Sequence, residues 1–201
     1  MHISEGILSA PVLITGAVVA AGGVAVGLKK TENEKIPEVG VLSAAFFVAS
    51  LIHVPLGPTS VHLILNGLVG LLLGWAAFPA ILVGLVFQAI LFQFGGLTTL
   101  GVNTVTMALP AVAGYYLFGP AVRSKSRKAA LIGAFLCGAF GVLGAAVLVA
   151  FALFWTGQSF LEVGKMVVYA HVPVMVIEGL LAMFTVAFLR KVKPELLEVK
   201  K

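Results

Sequence analysis

The sequence contains no aspartate, a single cysteine and few charges of either sign: charged residues fill 10% of its 201 positions, against about 25% in a soluble globular domain. Each shortage excludes something. One cysteine, Cys137, set inside an apolar run, permits no intrachain disulfide and no cysteine-rich metal site. With no aspartate, and with Glu178 the one acid deep in an apolar segment, a carboxylate-lined cation channel is disfavoured. The Walker phosphate loop, the His-Glu-x-x-His helix of metalloproteases and the Gly-x-Ser-x-Gly elbow are missing as well. No catalytic centre is visible, so the chain is expected not to be an enzyme and to carry no cofactor. The basic start of a secretory leader is also lacking, because the first fifteen residues hold Glu5 and no lysine or arginine. Met1 is therefore read as the mature N-terminus.

What is present is apolar surface. Hydrophobic residues make up 60% of the chain and the mean hydropathy is +1.12, more than a soluble fold of this length could cover with polar groups. A bilayer-spanning helix takes about 20 mostly apolar residues. Seven segments qualify or nearly do, roughly 9–28, 38–54, 59–77, 79–94, 101–122, 129–154 and 166–189. The expected fold is thus all-α: one polytopic membrane domain over 1–201 with seven transmembrane helices.

Orientation follows from the cations, which accumulate on the cytoplasmic side. With the N-terminus outside and the C-terminus cytoplasmic, Lys29, Lys30, Lys35, Arg123, Lys125, Arg127, Lys128, Arg190, Lys191, Lys193, Lys200 and Lys201 fall inside, and only Lys165 outside. The net charge of +5 therefore reads as topology rather than nucleic-acid binding, since no aromatic platform or basic helix accompanies it. Small residues at helical spacing, Ala17, Ala21 and Ala25, then Ala130, Ala134 and Gly138, allow close helix contact.

Ionisable groups at membrane depth are candidates for function: His53, His62, His171 and Glu178, joined by His2 at the N-terminus. A histidine at position two can wrap a metal with the terminal amine, its own amide nitrogen and its imidazole, in fused five- and six-membered rings. Three coplanar nitrogens favour Ni(II) or Cu(II), with Co(II) close behind. Taken alone this is a weak signal, because a chance histidine can stand there. His62, just after the turn Gly57-Pro58-Thr59-Ser60, is the best fourth nitrogen; the alternative is a histidine simply hydrogen-bonded near a helix end. His53 suits support or packing. His171 and Glu178 share a helix face but lie about 10 Å apart along it, so they do not form a two-ligand site. Asn103 and Gln88 are polar groups suited to helix bridging or to supporting a site.

Three motifs then resemble a known family. They are the opening Met1-His2-Ile3-Ser4-Glu5-Gly6, the turn Val54-Pro55-Leu56-Gly57-Pro58-Thr59-Ser60-Val61-His62, and Gln88 to Met107 with Gly95-Gly96-Leu97-Thr98-Thr99-Leu100-Gly101-Val102-Asn103; His171-Val172-Pro173 leading to Glu178 is a weaker fourth. Together they are similar to the substrate-binding membrane components of energy-coupling factor cobalt and nickel transporters, called CbiM or NikM. Pro58 and Val61 depart from the family's commoner glycine and glycine or alanine.

The resemblance implies that residues 1–8 fold into the helix bundle and bind metal. The implied ligands for Co2+ or Ni2+ are Met1, His2 and His62, with His53, Asn103, His171 and Glu178 as possible supports. It further implies a place in the bacterial inner membrane. The implied partners are a transmembrane coupling component, cytoplasmic ATPases and a small auxiliary membrane subunit. The rival expectation is a free-standing ion-coupled permease relaying protons through Glu178 and His171.

Overall fold

Apolar runs without acids or bases leave a chain in lipid one economical way to satisfy its backbone, the helix, and helices dominate the computed structural model. It describes residues 2–56, 59–157 and 161–197. The helices are α1 (Ala10–Lys30), α2 (Ile36–Ala49), α3 (Asn66–Leu73), α4 (Ala77–Phe92), α5 (Leu100–Val122), α6 (Arg127–Thr156), α7 (Leu161–Ala170) and α8 (Val172–Val192). Between α2 and α3 stands an antiparallel hairpin of β1 (His53–Leu56) and β2 (Thr59–His62), which pairs His53 with His62.

Five stretches are long and apolar enough to cross a membrane: Ala10–Lys30, Asn66–Phe92, Leu100–Val122, Arg127–Thr156 and Glu162–Val192. The protein is a multi-pass membrane protein. The second stretch is not one straight rod. At Gly74 the backbone takes φ 56° and ψ −123°, and the chain turns back. Gly70 packs on Ala111 and Gly74 on Tyr115, descending along α5, whereas α4 starts with Phe78 and Pro79 against Gly23 and Gly27 of α1 and ends with Gln88 beside His2. So α3 and α4 run in opposite directions.

Three expected segments differ in detail. The segment 38–54 ends as helix at Ala49, and 59–77 is a strand, an extended stretch and a helix of eight residues. The last, 166–189, is broken at His171, with Pro173 in the first turn of α8, where a missing N–H costs nothing.

Basic residues gather at the end away from His2. Arg190 of α8 donates to the carbonyls of Val122, Ser124 and Lys125, and Lys30 lies 5.3 Å over the Trp75 ring. In α6, Ala130 and Ala134 are fully buried and Gly138 meets the main chain of Glu178. In α1 the buried line is Val12, Ala20, Gly23 and Gly27, while Ala21 and Ala25 face outward. The α1 contact face thus includes Ala17, whose main chain lies against Gly101 of α5, and otherwise follows Gly16, Gly23 and Gly27, which allow the closer approach.

Candidate metal centre

The N-terminal segment is held by hydrogen bonds that its own short length could not supply. Asn103, near the start of α5, is buried; its Oδ1 accepts from the Ile3 N–H at 3.0 Å, and its Nδ2 donates to the Ile3 carbonyl at 3.1 Å and to Thr99 Oγ1 at 3.2 Å. One side-chain amide therefore imitates a strand partner for Ile3. Glu5 Oε1 accepts from the Thr98 N–H at 3.0 Å. Ile3 and Leu8 are buried in the main core, which adds an apolar anchor to these clasps.

The loop between α4 and α5 shapes the space beside that segment. Gly95 has φ 77°, a conformation that strains any other residue. A Cβ there would stand 2.9 Å from Asn103 Nδ2. One added at Gly96 would collide with the Glu5 side chain. The loop backbone can lie this close to the N-terminal segment because both positions lack a side chain.

These supports bring His2 against His62. The rings stack with centroids 4.8 Å apart, and His2 Nδ1 lies 3.1 Å from His62 Nε2. On its far side His2 Nε2 meets Gln88 Oε1 at 2.6 Å; on its far side His62 Nδ1 meets the Leu63 carbonyl at 2.9 Å. An oxygen of an amide or peptide carbonyl can only accept, so each outer nitrogen carries the proton. In neutral rings with that protonation the two inner nitrogens, 3.1 Å apart, are the ones that carry the lone pairs.

The other expected residues are placed as follows. Met1 lies outside the described residues, as do Gly57 and Pro58 of the turn before His62, and His53 is described only through its main-chain pairing with His62. His171 Nδ1 donates to the Val167 carbonyl at 2.7 Å, while its Nε2, buried, has no hydrogen-bond partner. No hydrogen bond joins His171 to Glu178 among the described residues. Glu178 instead accepts the N–H groups of Ile64 and Leu65. Gln88, expected from the sequence to bridge helices or support a site, is fully buried and meets His2 Nε2.

Among the described residues no group of three or more His, Cys, Asp and Glu side chains comes together. A metal held by His2 and His62 would therefore need further donors from elsewhere, and the main-chain amide covalently attached to the His2 ring is one such nitrogen.

Residues 2–196 match the family CbiM, described as the cobalt uptake substrate-specific transmembrane region. A Haemophilus influenzae protein named "Putative metal transport protein" is 46% identical over 98% of this chain and 97% of its own length. The fused nickel transport protein NikMN of Rhodobacter capsulatus is 36% identical over 75% of this chain, which corresponds to 46% of that longer protein. The crystal structure of a transition metal transporter superposes with a TM-score of 0.76 at 25% identity, covering 96% of this chain and 93% of that one. This chain belongs to the CbiM family of cobalt transport components.

Proposed function

We propose that this CbiM-family chain is the substrate-capturing membrane component of an ATP-driven uptake system for Co2+ or Ni2+. In this reading the metal is bound outside the cell by the Met1 amine, the His2 amide nitrogen, His2 Nδ1 and His62 Nε2. The observation that carries it is the pair of facing nitrogens. In the fused chelate the amide sits between amine and imidazole, so the one open place in the plane lies beside Nδ1. At a metal–nitrogen distance of about 2.0–2.1 Å, neighbouring donors at a right angle stand about 2.9 Å apart; His2 Nδ1 and His62 Nε2 are separated by 3.1 Å. Only Nδ1 can close the six-membered ring, and Gln88 occupies the other nitrogen. Such a partner fixes the tautomer of a ligating histidine.

Seven passes, with the N-terminus outside, belong to the same reading. It is supported by the reversal at Gly74 and by the cluster of Lys30, Arg123, Lys125 and Arg190 at the end away from His2. The membrane is then the bacterial inner membrane. The partners are a coupling membrane component and cytoplasmic ATPases, with an auxiliary membrane subunit; support comes from the relative in which a region like this one is fused to further chain. The rival, a permease driven by protons passing through His171 and Glu178, is less favoured because both Glu178 oxygens are engaged by main-chain N–H groups. Uptake that persists after loss of the ATPases would support that rival.

The test compares the protein starting at native Met1 with one carrying a single extra glycine, each assayed for bound Co2+ and Ni2+ per chain by mass spectrometry. One ion per native chain, lost on extension, is the expected result. Equal metal in both forms would rule out the N-terminal chelate.

A further inference from the structure

We infer that Glu178 is a positioning residue for metal capture: from α8 it grips the main chain at Ile64 and Leu65 and so fixes where the His62 imidazole stands. The inference rests on His62 being a ligand, as proposed above. Glu178 is 1% exposed. Its Oε1 accepts from the Ile64 N–H, and Leu65 N–H is shared between Oε1 at 2.9 Å and Oε2 at 3.0 Å. Residues 63–65 lie between β2 and α3, where neither a ladder nor a helical turn supplies acceptors for these donors. Leu65 has φ 56° and ψ 10°, a left-handed conformation that leucine holds only under constraint.

The connection to His62 is a single rigid unit. The Ile64 N–H and the Leu63 carbonyl are the two ends of one planar peptide. Glu178 holds the N–H end, and the carbonyl end accepts from His62 Nδ1. A tilt of that plane rotates the imidazole and carries Nε2 away from His2. The clamp also has a firm base: Gly138 of α6 lies against the main chain of Glu178 and Gly179 against Phe135, so α8 cannot slide along α6 without a clash. Glu178 is therefore the polar link through which the position of α8 reaches the metal site. Movement of α8 relative to α3 would be expected to loosen His62 first, without touching the metal.

The experiment is a double-mutant cycle on the full-length protein in detergent, with Ni2+ as the probe, measuring affinity together with the visible absorption of the bound ion. E178L is expected to weaken binding about 10–100-fold and to shift the absorption towards that of H62A. In the H62A background the same change is expected to alter affinity less than about twofold, since no shared interaction is left to lose. E178Q should fall between, because its amide oxygen still accepts from Ile64 while its NH2 opposes the Leu65 N–H; it carries the same cycle if E178L does not fold. Equal losses in both backgrounds, or no loss with His62 present, would overturn the inference. Wild-type affinity in H62A alone would overturn the reading of His62 as a ligand, and that result is visible before Glu178 is altered.

Discussion

His2 Nδ1 and His62 Nε2 face each other at 3.1 Å although sixty residues separate them in the chain. Neither histidine sets this geometry alone. Gln88 turns one ring and the Leu63 carbonyl the other, so the preparation of the site is distributed over α4, α5, α8 and the stretch before α3.

Gln88→Leu removes the acceptor for His2 Nε2 with little change in volume. Without it the Nδ1–H tautomer becomes equally available, and its proton occupies the donor nitrogen. We expect metal affinity to fall about 10–100-fold with little change in folding, measured by titration with Co2+ or Ni2+. An unchanged affinity would show that the ring is held by its stacking on His62 alone.

Asn103→Leu leaves the buried N–H and carbonyl of Ile3 unpaired, a cost of about 1–3 kcal/mol for each unmade bond. The N-terminal segment should detach before the helices do. Hydrogen exchange should reveal this as faster exchange at residues 2–5 against unchanged exchange in α6. Asn103→Asp, which keeps an acceptor for Ile3 N–H, should retain part of the protection.

Gly95→Ala forces a left-handed alanine, at about 1–2 kcal/mol, and presses a methyl group 2.9 Å from Asn103 Nδ2. Gly96→Ala is strained as well, at φ 157°, and its methyl group would overlap the Glu5 side chain, which can swing into solvent once it releases Thr98. Metal affinity should therefore fall more with Gly95→Ala than with Gly96→Ala; the reverse order would place the important clasp at Glu5.

Capture should weaken as the solution is acidified. The metal displaces a proton from the His2 amide and competes with protons for the amine and imidazole nitrogens. Affinity should then drop by more than about tenfold per pH unit between about pH 8 and pH 6. A pH-independent constant from metal titrations would exclude the amide and amine as ligands.

Asn66→Ala tests the frame rather than the site. Asn66 Nδ2 donates to the carbonyls of Met107 at 3.0 Å and Gly141 at 2.9 Å, tying α3 to α5 and α6 where Gly67 and Gly141 nearly touch. Its loss should destabilise the protein by about 1–3 kcal/mol, read as a lower thermal midpoint in detergent. Metal affinity at low temperature should change far less than with Gln88→Leu.

Much of this was legible in the chain itself. Apolar length and scarce charge marked a helical membrane protein, and the histidine at position two drew attention to a chelate because its three nitrogens are covalently linked. The positions of Asn103 and His62 in the matching motifs also stood out. Less legible were the breaks. The run around 59–77 is apolar enough for a span, yet it contains β2, the left-handed Leu65 and only two turns of helix, since hydropathy cannot tell a buried extended strand from a helix. Likewise His171 divides the last segment, where the sequence offers only Pro173 as a warning.

The sequence by itself determined the solvent, because 10% charge cannot clothe a core in water, and it put a histidine at position two, where the proposed chelate would begin. Tertiary structure decided which distant groups serve it. Glu178, read in sequence as a support for the site and only in the rival function as a relay with His171, is turned to the Leu63–Ile64 peptide, and Gln88 to His2. The physical reason is that a buried polar group must find a partner, and in a helix bundle that partner is chosen by how closely the glycines let neighbouring helices approach, a relation no spacing along one chain records.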